Sequence, residues 1–201
     1  MKIGIVSDIH EDVDRLASAL GLFAVIGVER IVCLGDVFEN GKRLDEAIGL
    51  LQSVAAAGVW GNHELGFCVG NPSDVVMRFD VGIRRFFRTF RGSLEIGGFH
   101  FSHGMPHWDA TDPCDYYTGE PPWNMAAVKK VFARFPHQVF LMGHCHRWYL
   151  TNGHGDIPVS GLDPIEFRSG ERYLVVVNAV VNGWCAVLDT DANMLTPHSV
   201  G

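Results

Sequence analysis

The stretch Val59-Trp60-Gly61-Asn62-His63-Glu64 closes an apolar run that begins at residue 54. An apolar run that stops at a glycine and continues with polar residues predicts a buried strand followed by a loop. This loop would present an amide, an imidazole and a carboxylate at the carboxyl end of the strand. Ligand crevices of α/β sheets form at that end. The stretch therefore indicates a functional site, provided that other strands bring partners to the same edge.

Two earlier segments end in the same way. The β-branched runs at residues 2–6 and 31–34 each predict a buried strand, and an aspartate follows each within two residues. Apolar residues at helical spacing come after both strands. Alternating strands and helices are typical of a parallel sheet covered by helices, which is an α/β architecture. The strand ends then bring five polar residues to one sheet edge: Asp8, His10, Asp36, Asn62 and His63.

The rest of the chain is strand-rich, and it has one irregular segment. Residues 105–122 are rich in Pro, Asp, Trp and Tyr without a clear period, and we expect a loop that covers a substrate. No linker interrupts the chain, so we predict a single domain over residues 1–201. The remaining patterns predict helices at 74–91 and 124–135, a hairpin at 94–102, and strands at 138–142, 147–150, 173–177 and 184–189.

Composition narrows the classes of partner. The chain has 201 residues, of which 47% are apolar and 19% charged, as in a globular protein. Its formal net charge of −7 disfavours a long nucleic-acid footprint, because such footprints carry positive charge. A long nucleic acid is therefore not expected as a partner.

The apolar stretches and the cysteines indicate the cellular compartment of the protein. No stretch approaches the roughly 20 apolar residues of a membrane span, and the apolar run at residues 2–6 is too short for a signal peptide. The five cysteines form no C-x-x-C pair and are expected to be reduced thiols. We expect a cytoplasmic protein without membrane association. Its oligomeric state is left open.

Three more histidines follow predicted strands: His103 follows the hairpin, and His144 and His146 follow the strand at 138–142. His144 and His146 have i, i+2 spacing, as Asp8 and His10 do, and an extended backbone would point both members of each pair to one side. Imidazole nitrogens, carboxylates and one amide, without an obligatory thiolate, suit Mn²⁺, Fe or Zn²⁺. The set exceeds what one tetrahedral site needs, whereas two metals that share a carboxylate would use all of it.

The order of these motifs resembles the calcineurin-like metallophosphoesterase superfamily, in particular its small bacterial and archaeal phosphodiesterase-type members. The resemblance spans residues 8–146. It rests on five elements, each at the end of an apolar run: Asp8-Ile9-His10, Gly35-Asp36-Val37-Phe38-Glu39, Gly61-Asn62-His63-Glu64, His103-Gly104 and Gly143-His144-Cys145-His146.

The resemblance implies a four-layer α-β-β-α sandwich and two divalent metal ions, with manganese favoured and Fe, Zn, Ni or Mg open. His63 would protonate the leaving oxygen, and Glu39 would orient it. The implied ligands are Asp8, His10 and His146 for one metal, Asn62, His103 and His144 for the other, and Asp36 as the bridge.

The implied activity is hydrolysis of a phosphodiester or phosphomonoester by a metal-bridging hydroxide, with a small phosphate ester as substrate. A catalytically silent scaffold on the same fold and a nuclease are the alternatives. Two departures matter. Position 39 is Glu where the family often has Asp, and Asn40 stands where the protein Ser/Thr phosphatases carry an arginine.

Several neighbouring residues have weaker signals. Glu64 is expected to support the loop by accepting hydrogen bonds from its amides, and Cys145 is expected to be an inert buried thiol. His107, Trp108 and Asp109 follow a ligand loop and either line the substrate pocket or pack within the loop. The arginines of the predicted helix at 74–91 favour a solvated face over an anion-binding one: Arg84, Arg85, Arg88 and Arg91.

Overall fold

A computed structural model describes residues 1–70, 74, 76–159 and 161–201. The first of its two sheets has the strand order β3-β2-β1-β10-β11-β8, in which β1, β2 and β3 are parallel and the other neighbours antiparallel. Its strands are β1 (Lys2–Val6), β2 (Arg30–Cys33), β3 (Ala57–Gly58), β8 (Ile165–Glu166), β10 (Trp184–Asp189) and β11 (Met194–Ser199).

The second sheet has the order β4-β5-β6-β9-β7, with β5, β6 and β9 parallel. The strands β4 and β5 form the predicted hairpin. The bounds are β4 (Ser93–Ile96), β5 (Phe99–Ser102), β6 (Val139–Met142), β7 (Tyr149–Thr151) and β9 (Tyr173–Val176). The helices are α1 (Val13–Ile26), α2 (Leu44–Ser53), α3 (Leu65–Cys68), α4 (Val81–Phe87), α5 (Pro113–Thr118) and α6 (Met125–Arg134).

Three apolar clusters separate four layers. Residues from both sheets, such as Ile5 and Leu141, form the middle cluster, so the sheets pack face to face. A second cluster joins the first sheet to α1, α2 and α4, and a third joins the second sheet to α6. This α-β-β-α sandwich confirms the predicted fold. Among the described residues, no helix is both long and apolar enough to cross a membrane.

Several predicted bounds are wrong. The predicted helix at 74–91 is divided into a 3-10 turn at Val76–Arg78 and α4, which begins after the Asp80 cap, and residue 75 lies outside the described residues. Arg88 and Arg91 therefore lie beyond the helix, and the four arginines do not form one helical face. The run before Trp60 contributes only the two residues of β3, because residues 54–55 form a turn. The segment 105–122 contains α5, whose first turn Asp112 caps. The strands β8 and β11 were not predicted.

Candidate metal centre

The crevice is built from the carboxyl ends of parallel strands in both sheets. The sequence predicted a meeting point at the edge of one sheet, but β5 and β6 of the second sheet contribute as well. The crevice holds three overlapping groups of potential ligands, and within each group one ligand atom from every residue lies within 4.8 Å of the others. The groups are Asp8, His10 and His146; His10, Asp36 and His63; and Asp36, His103 and His144. Asn62 joins them through its Oδ1, which lies 3.3 Å from His103 Nε2.

The backbone at these residues is left-handed rather than extended as predicted. The φ angles are 51° at Asp8, 46° at His10, 52° at Asp36, 70° at His144 and 50° at His146. Non-glycine residues adopt this region rarely, at a cost of about 1–3 kcal/mol each, and such residues cluster at functional sites. Backbone hydrogen bonds hold two of the turns together, from Asp8 N to Gly35 O (3.0 Å) and from His10 N to Asp36 O (2.9 Å).

Two glycines allow the loops to approach the carboxylates. A Cβ on Gly61 would lie 2.1 Å from Asp36 Oδ1, and a Cβ on Gly143 would lie 2.1 Å from Ser7 Oγ. Any other residue at these positions would push the loop away from the carboxylates. The glycines of the Gly-Asn-His and Gly-His-x-His motifs are therefore needed for close approach.

Asp36 lies between two histidines. Its Oδ2 is 3.3 Å from His103 Nε2 and 3.9 Å from His10 Nε2, while its Oδ1 accepts a hydrogen bond from the His63 backbone N–H at 3.1 Å. Burial works to raise the pKa of Asp36, but the positive charge of His103 outweighs it and holds that pKa well below its usual range. Asp36 is thus a buried carboxylate that faces both halves of the crevice.

The more open half contains Asp8, His10 and His146. His146 Nε2 lies 3.2 Å from Asp8 Oδ1 and also 3.2 Å from His10 Nε2. Ser7 donates to the other oxygen of Asp8. The hydrogen bond to Asp8 raises the pKa of His146. Two ring nitrogens and a carboxylate oxygen facing one another at these distances fit a shared cation.

The buried half contains Asp36, His103 and His144. Burial works to lower the pKa of His103, but the charge of Asp36 and its hydrogen bond raise it to about 10. Burial, together with the nearby charge of His103, lowers the pKa of His144. The carboxylate of Asp36 thus favours a proton on the His103 nitrogen that faces it, and a cation that binds at this nitrogen must displace that proton.

The outward-facing ring nitrogens of three histidines contact oxygen atoms. His10 Nδ1 lies 2.8 Å from Glu39 Oε2, His103 Nδ1 donates to Leu34 O at 2.6 Å, and His144 Nε2 donates to Tyr116 O at 2.9 Å. A carbonyl only accepts, so His103 and His144 must carry their protons on these outward nitrogens, and the opposite nitrogens face the crevice. Metal-binding histidines are held by oxygen atoms in this way, which orients the ring.

His63 lies at the mouth of the crevice, and its side chain is 31% exposed. Its Nδ1 is 3.6 Å from Glu39 Oε2, beyond a direct hydrogen bond. Its ring packs edge-on against His10 at a centroid distance of 4.7 Å. Glu39 was predicted to orient His63, but the same oxygen lies closer to His10.

Two buried glutamates hold the surrounding loops. Glu64 accepts hydrogen bonds from the backbone N–H groups of Asp36, Phe38 and Gly61, which is the supporting role expected for it. Burial and the charge of Asp36 raise the pKa of Glu64. Glu11 was not predicted to have a role. It binds the following loop by accepting from four backbone N–H groups, those of Glu39, Asn40, Gly41 and Arg43.

Two backbone N–H groups and one side chain complete the surroundings. The N–H groups of Val180 and Val181 donate to the carbonyls of Ser7 and Asp8, and Asn182 Nδ2 donates to His146 O at 2.9 Å. The segment around residue 180 thereby supports both Asp8 and His146. No sequence pattern before that segment indicated this support, since it depends on the β9–β10 connection reaching across to β1.

An aromatic cleft of about 400 Å³ adjoins the buried half, and His144 lies in its wall. Tyr117 is 74% exposed and Trp123 46% exposed, and the Arg147 guanidinium lies 3.8 Å from the centre of the Trp123 ring. Trp108 also lines the cleft, with its ring edge-on to His144.

The three residues suggested for the substrate pocket have different surroundings. Trp108 reaches the crevice wall. His107 lies 3.8 Å from Glu120, and Asp109 accepts hydrogen bonds from the backbone N–H and hydroxyl of Thr111. Cys145 lies in the wall of the cleft, where burial raises the pKa of its thiol to about 12, as expected of an inert thiol.

The chain is similar to known proteins in both sequence and fold. The family model of the calcineurin-like phosphoesterase superfamily domain matches residues 1–160. A curated relative, an uncharacterised protein of Methanocaldococcus jannaschii, is 33% identical over 64 residues. That match spans 32% of this chain and only 26% of the relative.

Solved structures share the fold. A metallophosphoesterase from Sphaerobacter thermophilus superposes with a TM-score of 0.79 at 20% identity, over 100% of this chain and 88% of that one. A hypothetical protein from Pyrococcus horikoshii superposes with a TM-score of 0.66 at 12% identity, over 99% and 87%. A phosphoesterase from E. coli gives 0.51 at 19% identity, over the full length of both chains. At these identities the likeness concerns the fold alone.

Proposed function

The chain belongs to the calcineurin-like phosphoesterase superfamily, and on that premise we propose that it hydrolyses a phosphodiester or phosphomonoester with two divalent metal ions. The observation that carries the proposal is the position of Asp36. Its Oδ2 lies 3.3 Å from His103 Nε2 and 3.9 Å from His10 Nε2. A carboxylate that faces both groups of histidines is suited to bridge two cations. The family implies divalent ions, and the donor set of the crevice fits them.

The residues divide between two ions. Asp8, His10 and His146 would hold one, and Asn62, His103 and His144 the other, with Asp36 shared. When bound, such a pair neutralises phosphoryl charge and supplies a nucleophile at neutral pH. We favour Mn²⁺, because the donors are three oxygen-bearing side chains and four imidazoles, with no thiolate among them.

His63 is proposed to donate the proton that the leaving oxygen needs. It is not required in either set of three ligands, and its exposure at the mouth leaves a ring nitrogen accessible to substrate. General acid catalysis by a histidine contributes typically ~10²–10⁴-fold. The carboxylate of Glu39 lies 3.6 Å from His63 Nδ1, so it faces the ring without a direct hydrogen bond.

We place the leaving group of the substrate in the aromatic cleft beside His144. Exposed aromatic rings are costly in water and stack on planar groups, and Arg147 adds a positive charge that suits a phosphate ester. The substrate expected from this arrangement is a small phosphate ester with a planar leaving group. The single domain over residues 1–201, the cytoplasmic location and the absence of a long nucleic-acid partner stay predictions.

The test is hydrolysis of bis-p-nitrophenyl phosphate and p-nitrophenyl phosphate by the metal-free full chain, with and without MnCl₂. We expect turnover that depends on Mn²⁺ and falls by ~10²–10⁴-fold in His63→Ala at unchanged metal content. The fall should be larger for alkyl esters, because poor leaving groups need the proton more. An unchanged rate in His63→Ala would remove this residue from catalysis.

The same assay tests the cleft and the alternatives. Trp123→Ala should raise KM for the aryl esters and leave kcat near the wild-type value, with the exposed Tyr117→Ala as a second variant. Failure of Mn²⁺, Zn²⁺ and Ni²⁺ alike to produce turnover of either ester would favour a catalytically silent scaffold. Cleavage of single-stranded DNA at physiological salt would favour a nuclease.

A further inference from the structure

A second cluster of metal-binding side chains lies on the outer edge of the second sheet. Glu95 and His100 are direct partners across the β4–β5 hairpin, so their side chains share one face. His137, in the connection from α6 to β6, brings its Nε2 to 3.2 Å from Glu95 Oε1. One ligand atom from each of the three lies within 4.8 Å of the others. None of these residues belongs to the crevice.

Three ring nitrogens of this cluster lack the partners that buried polar atoms need. His100 is 4% exposed, yet neither of its ring nitrogens has a hydrogen-bond partner among the described residues. His137 Nδ1 is in the same state. A buried polar atom without a partner costs about 1–3 kcal/mol and is rare in native proteins. A group from outside the chain that binds one ligand atom of each residue would give at least one of the His100 nitrogens its missing partner.

The surroundings favour a cation over an anion. The rings of Phe135 and Phe140 pack against His100 at centroid distances of 5.7 and 5.5 Å. Burial, followed by the nearby charge of His137, lowers the pKa of His100 to about 4. His100 is thus neutral at physiological pH, which is the form that binds a metal without first losing a proton. Glu95 supplies the negative charge.

The loop that carries His137 is held in place. Arg172 Nε donates to His137 O at 2.9 Å, and the guanidinium also binds the Phe132 and Phe135 carbonyls at the end of α6. The other two side chains stand on paired strands. All three ligands are therefore attached to fixed backbone, as a metal site requires.

We propose that Glu95, His100 and His137 bind one Zn²⁺ ion in addition to the metal pair of the crevice. Two imidazoles and a carboxylate are a common three-ligand zinc set, with the fourth position left for water. The ion would give one ring nitrogen of His100 a partner and tie the β4–β5 hairpin to the α6–β6 connection. Its role is structural support of the sheet edge, and it does not depend on the proposed phosphoesterase activity.

Zinc binding to the full chain tests the proposal. The chain is stripped of metal with a chelator and dialysed against ZnCl₂, and the bound zinc is measured by elemental analysis. Asp36→Asn silences the crevice, so this variant should retain one zinc ion. Losing even a group that only orients a metal ligand costs about 10–100-fold in affinity. Adding Glu95→Gln or His137→Gln should therefore weaken zinc binding at least tenfold and abolish the zinc-dependent rise in Tm.

The controls separate ligand loss from misfolding. Glu95 is exposed and glutamine has its shape, so Glu95→Gln alone should keep the circular dichroism spectrum and any Mn²⁺-dependent turnover of the wild type. His154→Gln, at an exposed histidine outside the cluster, should keep the zinc. Equal zinc content with and without Glu95→Gln overturns the proposal. So does a folded Asp36→Asn variant without zinc, whatever the outcome of the activity assays.

Discussion

His100 and His103 lie three residues apart on the path of β5, and they are almost equally buried, at 4% and 1% exposure. Their pKa values are nevertheless shifted in opposite directions. The pKa of His100 is lowered to about 4, and that of His103 is raised to about 10. Burial acts to lower both. The difference is Asp36, which lies 3.3 Å from His103, whereas His100 has no hydrogen-bond partner among the described residues.

This pair teaches that, between two imidazoles of nearly equal burial, the partners decide which one has the raised pKa. In the crevice, every histidine of the two candidate ligand sets has an oxygen behind it or beside it, and five of the candidate ligands have left-handed backbone. On the outer edge of the sheet, the strands are regular, and neither ring nitrogen of His100 has a hydrogen-bond partner among the described residues. The crevice is therefore preorganised, while the outer cluster is completed only by what it binds.

The largest expected effect comes from removing the partner of His103. Asp36→Asn takes away the carboxylate that faces both halves of the crevice, so we expect loss of metal from both and no measurable Mn²⁺-dependent turnover. His103 should also lose its raised pKa and come to resemble His100. Metal content by elemental analysis and the imidazole titration by NMR in chelator measure the two effects. Retention of two manganese ions by this variant would contradict the place given to Asp36.

A smaller effect is expected from the oxygen behind His10. Glu39→Gln keeps the shape but weakens the contact at 2.8 Å, and we expect Mn²⁺ affinity to fall by about 10–100-fold. Saturating Mn²⁺ should then restore most of kcat. If Glu39 acts mainly on His63, as the resemblance implies, kcat falls at saturating metal while affinity is unchanged. Rates measured across a Mn²⁺ titration distinguish the two outcomes.

The smallest effect concerns stability and pH in chelator. Because the pKa of His100 is lower in the folded chain than the ordinary 6.5, the unfolded chain binds the extra proton, and stability falls as pH decreases from about 6.5 towards 4. His103 acts in the other direction, and its contribution is lost as pH rises through about 10. The free energy of unfolding is measured by urea unfolding at a series of pH values. His100→Phe should weaken its fall with decreasing pH only on the acidic side. An acidic limb identical to that of the wild type would show that His100 does not titrate in this way.

Much of the site was predictable because its motifs are local. An apolar run that ends in Gly-Asn-His-Glu or Gly-Asp predicts a strand and also shows which polar residues lie at its end. The fold and the family follow from the order of five such elements, and the structure and comparisons confirm both. The β4–β5 hairpin and α6 were also predicted, because Gly97-Gly98 and the Asn124 cap mark their limits in sequence.

Other features required the folded chain, because they depend on residues distant in sequence. The partner of Glu39 is decided by where two loops from different strands meet, and His10 lies nearer than His63. The four amides that Glu11 binds lie 28 to 32 residues away. Nor did spacing indicate the left-handed turns, since i, i+2 patterns were interpreted as extended backbone.

The sequence by itself determined which residues would end the central strands, and so which side chains would meet in the crevice. Tertiary structure alone decided their charge and orientation. A pKa depends on atoms within a few ångströms, and those atoms come from other strands. Asp36 and the Leu34 carbonyl set the state of His103, and Glu95 meets His100 and His137 only because β4 pairs with β5. Strand endings are local properties of the chain, whereas electrostatic environments are properties of the fold.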